Sequence, residues 1–389
     1  MLLSLGLLLL VGLLMAGLLK KIGMPTLVGF VLTGILLGPY ALNLMDDSLI
    51  LISADLRTIA LVIILIRAGL SLDLDKILKQ GRIAILLTFL PATFEILATI
   101  FFTTLIMGWT WVDGFILGTI LAAVSPAVIV PRMIHLIIQK RGTKRGIPNM
   151  IMAGASADDI YVILLFTIAL SIKQTGSFEL TQIIFLPIQI ILGIIYGIII
   201  GKGLVYYFKQ VHIRDTIKVL IIVGFSLLLL SLEKMLFYSG LLSIIALTTM
   251  IYRDYPVLSD RLLKKYEKIW VFAEMLLFVL VGVALDITVI PSMGWIALGL
   301  IGFVLTIRLV GVWVCTIQSR VQIKEKWFII LSYIPKATVQ ASIGAIPLSL
   351  GLPYGKEMLA VAVIAIIITA PIGAFLIDFT QNRLLEIEK

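Results

Sequence analysis

Apolar runs of roughly 20 residues recur from one end of this 389-residue chain to the other, and no other feature restricts its fold as much. That length is what a helix needs to cross the hydrocarbon core of a bilayer. A soluble domain could not use so many of them, because much of its surface must be polar. Here 61% of residues are hydrophobic and 14% charged, against roughly 25% charged in an average soluble domain. The expected fold class is therefore an all-α integral membrane protein whose solvent is the lipid bilayer. The net charge of +9 does not indicate nucleic acid, since the basic residues sit in short loops between apolar runs rather than on one patch. Cys315 is the single cysteine and allows no disulfide within the chain. His135 and His212 lie far apart beside basic loops, which argues against a metal cluster.

Segmentation gives about 13 spans, the second (25–43) interrupted by glycines and the ninth (238–252) short. The whole chain, 1–389, reads as a single membrane unit. Its first run, 2–19, has no basic residue before it and Lys20 and Lys21 after it, the pattern of a retained helix rather than a signal peptide. Lysine and arginine collect in alternate loops. Lys76, Lys79 and Arg82 follow the third span, Lys140, Arg141, Lys144 and Arg145 the fifth, and Arg320, Lys324 and Lys326 the eleventh. Neither residue occurs in 44–54, 108–111 or 286–291. Basic loops stay on the cytoplasmic side, so the N-terminus is expected outside and the C-terminus in the cytoplasm of a multi-pass cell-membrane protein.

An internal repeat accompanies the spans. Gly69-Leu-Ser-Leu-Asp73 closes the third, and Gly282-Val-Ala-Leu-Asp286 closes the tenth, 213 residues later. The same offset carries Glu95 onto Arg308 and Ser125 onto Thr338. Span n thus matches span n + 7, and an odd shift reverses direction through the membrane. The expectation is an inverted-topology repeat, 1–171 (spans 1–6) and 216–379 (spans 8–13), joined by a linker helix at 180–208. Such repeats serve alternating access, with binding sites near the midplane at discontinuous helices.

Two kinds of intramembrane feature carry chemistry. Gly154-Ala-Ser156-Ala-Asp158-Asp159 puts two adjacent carboxylates about a dozen residues from either end of the sixth span. Acids at that depth are costly and mark ion or proton sites. A helix break needs no second acid for structure alone. A carboxylate pair can hold a proton or a hard cation such as Na⁺ but not both well, and that competition suffices to couple opposite fluxes. Asp158 and Asp159 are therefore the expected ion- and proton-binding residues. The second feature is a pair of proline breaks, Val124-Ser125-Pro126 in span 5 and Pro335-Lys336-Ala-Thr338 in span 12. Proline removes a helical donor and clashes with the preceding turn. Unwound backbone at membrane depth is tolerated where it is buried or lines a cavity. Two broken helices crossing at the midplane are expected, with Ser125, Pro126, Thr338 and Ser156 lining the ion site. Lys336, Glu95 and Arg308 are the expected compensating charges for the half-helix dipoles. A guanidinium keeps its proton, so Arg308 is not the proton carrier. Arg67 and Glu274 are expected to pair or snorkel.

These stretches, Val124-Ser-Pro-Ala-Val128 with Val130-Pro131, Gly154-Ala-Ser-Ala-Asp158-Asp159 and Pro335-Lys-Ala-Thr-Val-Gln340, resemble those of the monovalent cation/proton antiporter superfamily. The nearest branch is the NHA-type sodium/proton antiporters. The resemblance covers essentially the whole chain. It implies a homodimer with a dimer-forming domain and a moving core, an ion site at Asp158 and Asp159, and exchange of Na⁺ or Li⁺ for H⁺ with no cofactor and no catalytic residue. Paired aspartates are associated in that superfamily with electrogenic members. Those members often carry lysine where this chain has Arg308, while Arg308 with Glu95 is similar to the NHA arrangement. Two alternatives share the scaffold or its design: a potassium/proton exchanger or potassium-efflux protein, and a sodium-coupled organic-anion symporter. The former usually replaces one acid of the pair with glutamine and carries a long nucleotide-binding tail, and the latter has no need of adjacent aspartates. An intramembrane aspartyl protease would need its acids on separate helices.

Overall fold

The computed structural model describes residues 1–72, 81–175 and 180–387; Asp73, half of the repeated Leu-Asp motif, lies outside them. Among the described residues the chain is helical, without a named strand, and Arg141 and Ile387 form an isolated antiparallel bridge. The first helices are α1 (Leu2–Lys21), α2 (Thr26–Leu37), α3 (Asp47–Leu51), α4 (Ser53–Ser71), α5 (Arg82–Leu87) and α6 (Leu90–Ile106). They are followed by α7 (Trp111–Ala122), α8 (Pro126–Ile138), α9 (Ile147–Thr175), α10 (Leu180–Gln210), α11 (Asp215–Leu236) and α12 (Gly240–Asp254). The last are α13 (Pro256–Ala284), α14 (Ile290–Thr316), α15 (Ile323–Ser332), α16 (Thr338–Ile343), α17 (Ile346–Ser349) and α18 (Gly355–Leu384).

Eight stretches of helix are long and apolar enough to cross a membrane, among them Arg82–Ile106 and Trp111–Ile138, each counted through its interruption. The other five expected spans coincide with helices that fall short for visible reasons. The helices α2, α12 and α15 have 12, 15 and 10 residues. In α4, Asp55, Arg57 and Arg67 fall within 19 residues. Towards its C-terminal end, α13 carries Glu267, Lys268 and Glu274. The short and charged helices include those bordering the breaks, so hydropathy fades where polar function would sit.

The chain divides into two compact units that cut across the expected repeat halves. One comprises Met1–Arg57, Leu74–Val162 and Met275–Lys389, the other Thr58–Asp73 and Ile163–Glu274. In the second unit α10 packs on α12 through Gly193, Gly197 and Gly201. A Cβ at any of them would run into the backbone of Ser239, Ser243 or Leu247. Small residues at every fourth position let membrane helices approach to backbone contact. The Ser243 hydroxyl uses that proximity, donating to the Gly193 carbonyl at 2.8 Å. In the same unit the Arg67 guanidinium lies over the Trp270 ring, 5.1 Å from its centre, a cation–π placement for an intramembrane charge. In the first unit α2 and α13 meet at Gly34 and Gly282, where a Cβ on either would strike the other helix.

After α13 the chain turns through a 3₁₀ segment, Ile287–Val289, capped by Asp286. The Asp286 carboxylate accepts from the Thr288 amide at 3.1 Å and hydroxyl at 2.5 Å, and from Lys356 Nζ at 3.0 Å. The Thr288 hydroxyl, with Lys356 beside it, holds this carboxyl below the usual carboxylate range. A carboxyl depressed in the folded state contributes stability that is complete above its unfolded value of about 3.9 and lost as pH falls through the folded one. Asp286→Asn is therefore expected to cost about 0.5 kcal/mol at neutral pH and nothing in acid. Melting curves of both proteins at neutral and acid pH check this. A deficit that persists in acid would assign the loss to packing.

Candidate functional site

The site grows from two places where a helix cannot continue. The helix α7 ends at Ala122, and Ala123 and Ser125 are extended, with φ/ψ of −75/141° and −89/107°. Pro126 then opens α8 at its first position, where a missing N–H costs nothing. The helix α15 ends at Ser332, and after Pro335 the chain re-enters helix at Thr338. The two unwound segments cross, the Ser125 amide donating to the Pro335 carbonyl at 2.8 Å.

A break leaves backbone groups that must be satisfied without water, and side chains satisfy them here. The C-terminal carbonyls of α7 are met by cations and an amide. Lys336 Nζ donates to Leu121 O at 2.6 Å and Arg308 Nη1 to Ala122 O. Gln340 Nε2 donates to Ala123 O at 2.7 Å and Leu121 O at 3.2 Å. Positive groups at a helix C-terminus also oppose its dipole. On the other side of the break the Val124 amide donates to Asp158 Oδ2 at 2.9 Å. In the second break Arg308 Nε donates to Tyr333 O at 3.1 Å and the Lys336 amide to Thr369 Oγ1 at 3.1 Å.

The same side chains form a charge network with no solvent contact. Glu95 of α6 takes Arg308 Nη1 at 2.9 Å and Lys336 Nζ at 2.7 Å. Arg308 of α14 reaches on with Nη2 to Asp158 at 3.0 Å. Glu95, Asp158 and Arg308 are 0% exposed and Lys336 1%. Their formal charges cancel: two carboxylates against one guanidinium and one ammonium. Buried charges persist when paired and hydrogen-bonded in this way.

Asp159 stands apart. Neighbours on a helix point about 100° away from each other, so the two aspartates of α9 do not present one symmetric clamp. Asp158 is tied to Arg308 and Val124, whereas Asp159, 5% exposed, has an Oδ1 with no hydrogen-bond partner among the described residues. Asp158 Oδ1, Ser125 Oγ, Gln340 Oε1 and the Tyr333 hydroxyl are buried and equally unpartnered. The breaks are thus saturated for donors towards the α7 carbonyls and left with spare oxygens elsewhere, a set suited to a hard cation or a proton.

The remaining expected residues sit as follows. Thr338, 6% exposed, is the first residue of α16, and Pro126 the first of α8. Ser156 is half-buried, one turn before Asp159 on the same face of α9. Sequence reasoning assigned nothing to Gln340, Tyr333 or Thr369. Gln340 lies in the Pro335–Gln340 stretch, third residue of α16, and as a neutral amide it carries no signal in the sequence. A further interruption, at Thr88 and Phe89 between α5 and α6, was also not expected; Pro91 near the start of α6 marks it.

The fold and this crossing of broken helices define a helical membrane protein with two interrupted helices meeting at a buried charge network. The family profile described as "Sodium/hydrogen exchanger, transmembrane" matches residues 6–381, and the chain belongs to that family. It is 31% identical to human sodium/hydrogen exchanger 9B2 over 385 residues, covering 93% of this chain and 70% of that protein. With human sodium/hydrogen exchanger 9B1 it shares 32% over 344 residues, 86% of this chain and 67% of the other. In three dimensions it is similar to the sodium proton antiporter MjNhaP1 from Methanocaldococcus jannaschii at pH 8, with a TM-score of 0.82 at 19% identity, over 98% of this chain and 97% of that one. The membership of the monovalent cation/proton antiporter superfamily that the motifs implied is thereby shown.

Proposed function

We propose that this protein exchanges Na⁺ or Li⁺ for H⁺ by alternating access, the two ions competing for Asp159 with Asp158 beside it. One observation carries the reading: Glu95, Asp158, Arg308 and Lys336 balance to zero, and Asp159 is the buried carboxylate left over, with a free oxygen. A single uncompensated charge in a dry site calls for a proton or a monovalent cation, and either one removes the need for the other. Family membership and the antiporter fold support the same conclusion. Ser125, Thr338 and Ser156 supply neutral oxygens, Arg308 and Lys336 hold the unwound backbone, and Glu95 pairs with both as a compensating charge. The inverted repeat supplies two near-equivalent orientations for the exchange. The protein works as a homodimer in the cell membrane, N-terminus outside and C-terminus cytoplasmic, as the loop charges argue.

The test is reconstitution in liposomes with an imposed pH gradient and a lumenal pH dye. Na⁺ or Li⁺ added outside is expected to dissipate the gradient, and K⁺ to do so poorly. A response to K⁺ alone would replace this reading with potassium/proton exchange. Indifference of folded protein to all three ions would leave the organic-anion symporter.

A further inference from the structure

We propose that the cavity framed by Arg82, Arg145 and Arg320 binds a phosphate-bearing anion at the basic face of the protein. The cavity measures about 540 Å³ and lies wholly within the first compact unit. Three arginines are among its lining residues, Arg82 and Arg320 exposed and Arg145 half-buried, and Gln318, Cys315 and Met150 line it with them. Arg82 Nη1 donates to Gln318 Oε1 at 3.4 Å. Arg145 is neutralised by Glu325 at 2.9 Å, while Arg82 and Arg320 have no carboxylate within ion-pair distance among the described residues. Three cations share the walls against one anion, an excess of two positive charges. Like charges lining one concave wall repel each other unless a counter-ion sits between them. Guanidiniums are the side chains that fit phosphate oxygens with paired donors. The same excess repels a cation, so the cavity is not an access route for transported Na⁺.

Its position gives it a consequence. Arg82 opens α5, which leads to Glu95. Arg145 stands two residues before α9, which carries Asp158 and Asp159. Arg320 lies in the link between α14, which bears Arg308, and α15, which ends in the break before Lys336. The walls are therefore the ends of the four helical segments that bring the buried charges together. An anion bridging Arg82, Arg145 and Arg320 ties those ends to one another. The loops concerned are the arginine- and lysine-rich ones that the sequence assigns to the cytoplasm, where anionic headgroups are abundant and basic pockets between membrane helices capture them. The ligand chemistry is a phosphate monoester or diester, carried on a lipid headgroup or free in solution.

Binding is measured on the purified full-length protein in neutral detergent, independently of which ion it transports. The probes are a short-chain phosphatidylinositol phosphate, its headgroup inositol phosphate without tails, and phosphatidylcholine as control. The proteins compared are wild type, Arg82→Gln/Arg320→Gln and Arg320→Lys. The double variant is expected to bind the phosphorylated probes at least about tenfold more weakly, Arg320→Lys to retain most of the affinity, and added salt to weaken the wild type. Equal binding of lipid and headgroup assigns a soluble anion, and binding of the lipid alone assigns a membrane lipid. Equal affinity of wild type and double variant, or binding of phosphatidylcholine as tight as that of the phosphorylated lipid, overturns the proposal.

Discussion

Asp159→Asn is expected to reduce cation-dependent collapse of an imposed pH gradient to the level of protein-free vesicles, in a protein that folds and melts like wild type. The asparagine keeps the volume and one of the two oxygens, so packing on α9 survives. What goes is the one formal charge that Glu95, Asp158, Arg308 and Lys336 leave unbalanced. Without it a bound cation lacks its counter-charge and a proton lacks its acceptor, so both half-reactions stop together. The neighbouring substitution behaves differently. Asp158→Asn removes an ion pair to Arg308 and weakens the acceptor for the Val124 amide, and its effect is expected in stability as well as transport. Side-by-side melts and flux measurements separate the two aspartates. Undiminished exchange in Asp159→Asn would move the exchange site elsewhere.

Arg308→Leu is expected to destabilise the protein by about 3–5 kcal/mol, the usual result of removing one partner from a buried charge cluster. Arg308 touches Glu95, Asp158, Ala122 O and Tyr333 O at once. Its loss strands a carboxylate and two break carbonyls in a dry interior. Lysine cannot substitute, because a point ammonium spans neither the distance nor the directions of a planar fork. The double variant Glu95→Leu/Arg308→Leu is expected to recover part of the loss, since removing both partners leaves fewer unpaired groups than removing one. Denaturation in detergent of the two singles and the double checks this. Strict additivity would mean that the contact between the two is not coupled.

What the sequence disclosed follows the physics of each signal. Proline cannot donate, so Pro126 and Pro335 announced breaks in the membrane, and Glu95 and Arg308, linked by an offset of 213 residues, stand 2.9 Å apart. Pro91 sent the same message about Thr88 and Phe89, but weakly, because a proline in the first turn of a helix reads equally well as the start of an uninterrupted span. The division of labour between Asp158 and Asp159 was open to anyone who turned the helix by 100°; which one faces Arg308 depends on α14 and was not. Gln340 was hidden for another reason. A neutral amide has no charge to betray a cost at membrane depth, and only coordinates reveal that Leu121 and Ala123 need its donors. Of the spans that hydropathy underrates, α4 and α13 are long enough to cross and are marked down for their charges, three in α4 and seven in α13.

The ring of backbone oxygens at the end of α7 has a consequence for turnover. Carbonyls at the mouth of a broken helix are a ready-made coordination shell for an alkali ion. In this structure those carbonyls already accept from the ammonium of Lys336, the guanidinium of Arg308 and the amide of Gln340. On the proposed exchange, a visiting ion would be left with side-chain oxygens, a looser seat than a full carbonyl cage. A carrier must release its cargo on the far side in every cycle, and under the exchange proposed above the looser seat is expected to favour quick release.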